Sequence, residues 1–138
     1  MTMLVDQRRS VKSEIDRLGK GGALRRFQAK GRLAPGVMNR TETAYAAALE
    51  AQRQAGAILW WKFEALKLRL ASNTFLTVDF AEMQADGLLV MTDVKGARAI
   101  YTDDAKVKMK VAAETFPFVF KVAFPRKGGG WDIENVGN

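Results

Sequence analysis

The sequence predicts a mixed α/β domain: a helix, three strands, a second helix and a fourth strand on one mixed sheet, with a basic helical extension ahead of it. Three observations carry that expectation. Two helix-period segments, 41–54 and 103–115, bracket a stretch rich in strand formers. Inside that stretch, Thr77 to Gly96 (TVDFAEMQADGLLVMTDVKG) holds two strand-like runs joined by Asp86-Gly87, one of the strongest short hairpin signals. The net charge of +7 falls entirely within residues 1–40, which carry ten Lys/Arg against three Asp/Glu, whereas residues 41–138 carry twelve of each sign. The expected division is a basic arm or helical extension over residues 1–38 and the domain over residues 39–138.

In the arm, Leu4, Val11, Ile15 and Leu18 recur at helical spacing over residues 4–18, and Gly19-Lys20-Gly21-Gly22 ends that helix. Ala23 to Lys30 reads as a second short helix, closed by Gly31 and the Pro35-Gly36 turn. The domain's first helix, Thr41 to Gln54, opens on Asn39 as N-cap with Glu42 three positions on, a capping-box pattern that puts Glu42, Tyr45 and Leu49 on one face. Ile58 to Leu70 reads as a strand bent near Glu64-Ala65, its Leu66, Leu68 and Leu70 alternating with Lys67 and Arg69. The adjacent Trp60 and Trp61 read as core residues in preference to base-stacking ones. After a Ser72-Asn73 turn, Phe75 to Met83 reads as the next strand, with Thr77, Asp79 and Ala81 on one face and Leu76, Val78 and Phe80 on the other. In the third strand Leu89, Met91, Asp93 and Lys95 share a face, opposite Leu88, Val90, Thr92 and Val94. Thr102 or Asp103 caps the second helix, whose apolar stripe is Ala105, Met109, Ala112 and Phe116, and Pro117 stops it. Phe118 to Phe124 then reads as a buried strand reached by a crossover. Trp131 to Val136 reads as an edge strand beyond the Gly128-Gly129-Gly130 turn.

Composition excludes several chemistries. No run approaches the length of a membrane span and the N-terminus lacks the apolar core of a signal peptide, so no membrane association and a cytoplasmic location are expected. The absence of cysteine and histidine removes disulfides, thiolate and imidazole metal sites, and the Ser-His-Asp and Cys-His nucleophile systems. Any metal is held by oxygen, which favours Mg²⁺ with Mn²⁺ as a substitute. A basic arm beside a neutral domain points to a polyanion, most simply nucleic acid, with Arg25, Arg26, Lys30 and Arg40 as candidate contacts. A solvated tail that only aids solubility is the competing reading.

The chemistry concentrates in Asp79, the hairpin, and Asp93-Val94-Lys95. Asp93 and Lys95 end an otherwise apolar strand, and buried charge is costly unless paired or bound to a metal. This arrangement resembles the PD-(D/E)XK nuclease superfamily, with Thr77-Val78-Asp79 at the first acid and Asp93-Val94-Lys95 as the second half; Val78 stands where the name-giving proline would be. The αβββαβ order expected over residues 39–124 is the one for which that superfamily's restriction-endonuclease-like core is known. In detail the chain is similar to small phage members: a Glu-bearing helix, a GxI segment (Gly56-Ala57-Ile58), a DF pair (Asp79-Phe80), a D-V-K-G box (Asp93 to Gly96), and a lysine-bearing helix ending in Phe116-Pro117.

The resemblance implies a Mg²⁺-dependent DNA endonuclease in which Asp79 and Asp93 are catalytic and hold the metal, with Glu42 and the Val94 carbonyl as further ligands. Lys95 would orient the attacking water or stabilise transition-state charge, and Lys106, Lys108 or Lys110 would meet the phosphate backbone, Lys108 foremost. Glu42 keeps a second reading as a helix cap alone. Small phage relatives imply duplex or branched DNA such as Holliday junctions, a homodimer with the helix of Leu4, Val11, Ile15 and Leu18 as its interface, and the host cell cytoplasm as location. Two other classes compete: a non-catalytic nucleic-acid-binding protein working through the basic arm, its Asp79, Asp93 and Lys95 forming only a salt bridge, and a structural protein of a mobile element.

Overall fold

Between Ile58 and Gln84 the chain runs out and back as one long hairpin, creased in the middle. A computed structural model describes residues 34 and 36–137, and the chain separates into two units, Met1–Asn39 and Arg40–Asn138. The strand expected over Ile58 to Leu70 is two, β1 (Ile58–Phe63) and β2 (Lys67–Ala71), and that expected over Phe75 to Met83 is also two, β3 (Thr74–Thr77) and β4 (Phe80–Gln84). On one side the crease is Glu64, whose φ of 48° is left-handed and ends the extended run. On the other it is Val78-Asp79, and the Glu64 amide donates to the Asp79 carbonyl at 2.7 Å across it. Strict alternation fails there: Val78 and Ala81, three apart, are buried in the same apolar cluster. The distal half closes on a two-residue turn, Ser72-Asn73, with Asn73 left-handed at φ 56°.

Ahead of this hairpin lies α1 (Arg40–Gln54). After it come β5 (Leu89–Val94), a 3₁₀ turn (Arg98–Ile100), α2 (Asp103–Thr115), β6 (Val119–Pro125) and β7 (Trp131–Val136). The sheet has five strands in the order β1-β4-β5-β6-β7, with β5 and β6 parallel and the other neighbours antiparallel; β2 and β3 form a separate two-stranded ribbon. At the Asp86-Gly87 turn Gly87 takes φ 90° and the Asp86 carboxylate accepts from the Leu88 amide at 3.0 Å. The α2 crossover makes the β5-β6 pair parallel. Thr102 caps α2, its hydroxyl accepting from the Ala105 amide. Phe116, at φ −110° and ψ 144°, leaves the helix as a residue preceding proline must.

The sheet buries both faces. Toward α2 and the inner side of the ribbon lie Met91, Phe120, Val122, Phe124 and Ala81, packed against Met109, Ala112 and Leu68. Toward α1 lie Phe80, Val90 and Val94, with Tyr45 and Leu49 over them and Tyr45 ringed by Phe80 at 5.2 Å and Trp131 at 5.0 Å. Of the tandem tryptophans, Trp61 faces α1, donating its indole N–H to Glu50 at 3.0 Å, while Trp60 is 43% exposed and not core. Among the described residues no helix is long and apolar enough to cross a membrane. The helices expected in the arm, the interface assigned to Leu4, Val11, Ile15 and Leu18, and the cations Arg25, Arg26 and Lys30 lie outside the described residues.

The α1 face also buries Glu82, which accepts the Tyr45 hydroxyl hydrogen at 3.0 Å; the Thr92 hydroxyl lies within reach of both but forms no well-aligned hydrogen bond. Burial pushes the Glu82 carboxyl up, only partly offset by Thr92, Tyr45 and the charge of Lys121. Folding therefore disfavours the carboxylate: stability from this group is fully present below the unfolded glutamate value near 4.5 and is lost as pH rises through the raised folded value. Glu82→Gln, which keeps an acceptor for Tyr45, is expected to stabilise the domain by about 1–2 kcal/mol at neutral pH. The gain shrinks on acidification, as thermal unfolding at several pH values will read; no gain at neutral pH would mean that Lys121 fully compensates the buried charge.

Candidate active-site cleft

The crease places Asp79 where no strand ladder claims its side chain. Its carboxylate Oδ2 instead accepts the backbone N–H of Val94, at the end of β5, at 2.8 Å. One residue before Val94, Asp93 is buried and faces the same space; one residue after it, Lys95 leaves the strand, its amide held by the Ala123 carbonyl at 3.0 Å. Lys95 Nζ then returns to Asp93 Oδ2 at 3.2 Å, with the lysine side chain 26% exposed. All three side chains line one open cleft of about 660 Å³, walled by Thr74, Leu76 and Thr77 of the ribbon and by the first turns of α2. It opens at the carboxyl end of β5, beside the crossover to its parallel neighbour, where α/β sheets place ligands.

The electrostatics of the cleft are those of two carboxylates held too close. The Asp79 carboxyl is pushed up to about 9, first by burial, next by the charge of Asp93, with the Val94 amide pulling it back down. The Asp93 carboxyl beside it and, more weakly, the charge of Glu42 push it up as well. Tyr101 senses the same field: its hydroxyl is raised by burial and then by Asp93. Such a pair is relieved either by a shared proton or by a cation.

The donor set fits a small divalent ion of the Mg²⁺ kind. That ion keeps several waters and is commonly held by one or two carboxylates plus substrate oxygens. Among the described residues no group of three or more carboxylates converges to hold a metal, so Asp79 and Asp93 would be the protein's principal donors. Glu42 is buried on the α1 face with Tyr45 and Leu49 and reaches Asp79 through longer-range repulsion; it does not complete a three-carboxylate cluster.

The helix lysines separate. Lys108 lines the cleft with Asp79, Asp93 and Lys95. Lys106 turns away, its ammonium 5.5 Å from the Tyr101 ring centroid, and Lys110 lines a different hollow with Ala113, Glu114 and Gly137. Arg40 opens α1 and is exposed. Asp104 lines the cleft too and was not singled out in the sequence, where an acid in the first turn of a helix reads as a partner of the helix dipole. Thr77, expected on the face of Asp79, lines the cleft with it.

No protein family, curated protein or solved structure matches the chain.

Because the folded value of Asp79 lies near 9 and its ordinary value near 3.8, stability from this group is greatest below 3.8 and is lost as pH rises toward 9. Without divalent cations, thermal unfolding is expected to show a melting temperature falling between pH 5 and 9. Asp79→Asn, which keeps an acceptor for the Val94 amide, is expected to flatten that fall. If Asp79 and Asp93 hold the cation, Mg²⁺ is expected to raise the wild-type melting temperature and to leave that of Asp79→Asn and Asp93→Asn nearly unmoved. A cation response equal in all three proteins would place the ion elsewhere.

Proposed function

We propose that this chain is a divalent-cation-dependent DNA endonuclease of the PD-(D/E)XK type, hydrolysing phosphodiester bonds. The observation that supports it most is the convergence of Asp79, Asp93, Lys95 and Lys108 in one cleft from three separate places in the chain, the crease, the end of β5 with the residue just beyond it, and a helix. Two acids across a hairpin with a lysine beside the second is the pattern met in the sequence, and here they face one space.

Asp79 and Asp93 would hold Mg²⁺ or Mn²⁺, with the Val94 carbonyl as an additional oxygen donor and Glu42, outside any three-carboxylate cluster, acting only through water. When bound, the ion supplies Lewis-acid polarisation of the phosphate and a lowered pKa for a coordinated water. The Val94 amide fixes the Asp79 carboxylate, so its orientation does not depend on the ligand. The Lys95 ammonium, 3.2 Å from Asp93, would orient the attacking water or neutralise charge developing on the phosphate. Lys108 would hold a neighbouring phosphate, while Lys106, Lys110, Arg40 at the start of α1 and the arm cations Arg25, Arg26 and Lys30 would contribute only the sequence-independent attraction of a basic protein for DNA. Branched DNA, a homodimer presenting two active sites, and a host cytoplasm are the finer parts of the proposal. One observation favours the rival reading of a non-catalytic binder: Lys95 is already paired with Asp93, as in a plain salt bridge.

Cleavage of labelled four-way junction, linear duplex and single strand with Mg²⁺, Mn²⁺ or a chelator separates the two. The wild type is expected to cut only with metal, and Lys95→Ala to lose at least about 100-fold in rate. Binding without cleavage under every metal would leave the binder. Lys108→Ala is expected to cost about tenfold, and Lys110→Ala to stay within about twofold of wild type. Equal losses in both would remove Lys108 from the cleft's chemistry.

A further inference from the structure

The β2-β3 ribbon has two unlike faces. Leu68, Leu70 and Leu76 turn inward to the cluster under α2. On the outer face Lys67 stands opposite Thr77 and Arg69 opposite Phe75, and all four are exposed, Phe75 by 42%. From Ala65 to Val78 the chain carries these two cations and no acid. Lys67 Nζ sits 4.7 Å from the Phe75 ring centroid, a diagonal cross-strand contact that holds the ring against the ribbon with its charge beside it. A single exposed aromatic is ordinary. An exposed aromatic flanked by two cations, on a ribbon whose Thr74, Leu76 and Thr77 wall the cleft, is a pairing suited to nucleic acid.

Resting on the nuclease reading, we propose that this outer face is an accessory site for an unpaired nucleotide, Phe75 stacking on its base while Lys67 and Arg69 meet the flanking phosphates. A base locked in a duplex stack cannot present its face to Phe75, so the site selects DNA carrying a single-stranded branch or tract beside the scissile phosphate. Phe75 lies four residues from Asp79, at most roughly 13 Å along the strand, which is about four nucleotides of stacked backbone. The exposed ribbon would thereby direct the cleft toward branched in preference to continuous duplex substrates.

The test uses the full chain with a chelator present, so that binding is read without cleavage. The probe is a duplex with a single-stranded branch carrying 2-aminopurine at successive positions, compared with the linear duplex. Wild type is expected to quench 2-aminopurine at one or two branch positions and to prefer the branched DNA. Phe75→Ala should abolish the quenching and weaken branched binding at least about fivefold, with duplex binding within about twofold. Phe75→Trp should restore both. Lys67→Ala with Arg69→Ala should lower the salt dependence of branched binding by about two phosphate contacts. Unchanged quenching or preference in Phe75→Ala overturns the inference, whatever the outcome of the cleavage assay. Quenching that depends on Phe75 in a protein that never cleaves sustains the ribbon site and overturns the nuclease reading alone.

Discussion

Everything at the cleft depends on one hydrogen bond, from the Val94 amide to the Asp79 carboxylate. It joins the crease of the long hairpin to the end of the neighbouring central strand, and so fixes where the acid of the crease meets the acid of β5. The bond exists because the crease removes Asp79 from the strand ladder. Had the hairpin run straight, Asp79 would occupy an ordinary strand position and its side chain would follow the pleat. The Glu64 amide, donating to the Asp79 carbonyl from a left-handed residue, holds the bend from the opposite arm. Left-handed backbone at a non-glycine residue is uncommon and is tolerated where surrounding contacts over-determine it.

That same bend does a second job. It swings the ribbon over the sheet, so its inner leucines help bury Met109 and Phe120 while its edge becomes one wall of the cleft. Packing and site geometry are therefore coupled: the apolar face that holds the ribbon down also sets the width of the space above Asp79 and Asp93. The opposite face of the sheet is organised differently. There Glu82, Tyr45 and Thr92 form a buried polar group within an aromatic surround, distinct from the cleft and without a part in the proposed chemistry.

The charge pattern within the cleft is lopsided in a useful way. Burial and mutual repulsion raise Asp79, and Lys95 answers only Asp93. One carboxylate is thus satisfied by a protein cation while the other keeps its charge suppressed. A divalent ion would supply the missing positive charge, and a phosphodiester would bring the negative charge that Lys95 and Lys108 can then share.

Much of this was legible in the chain alone. The residue types and spacing of Asp79, Asp93 and Lys95, the capped helix over 103–115, the stop at Pro117 and the Asp86-Gly87 turn are local signals, decided by pleat, cap and turn chemistry within a few residues. The mixed sheet with a helical crossover followed from their order. What only the tertiary structure decided was the crease, the exposure of Trp60, and which of three helix lysines faces the acids. Each depends on contacts between residues far apart in sequence: the bend on the Glu64 and Asp79 pairing, Trp60 on lying in an edge strand, and Lys108 on how α2 is rolled by Met109 and Ala112 against the sheet. Periodicity names the faces of a helix or strand, but only packing chooses which way each face turns.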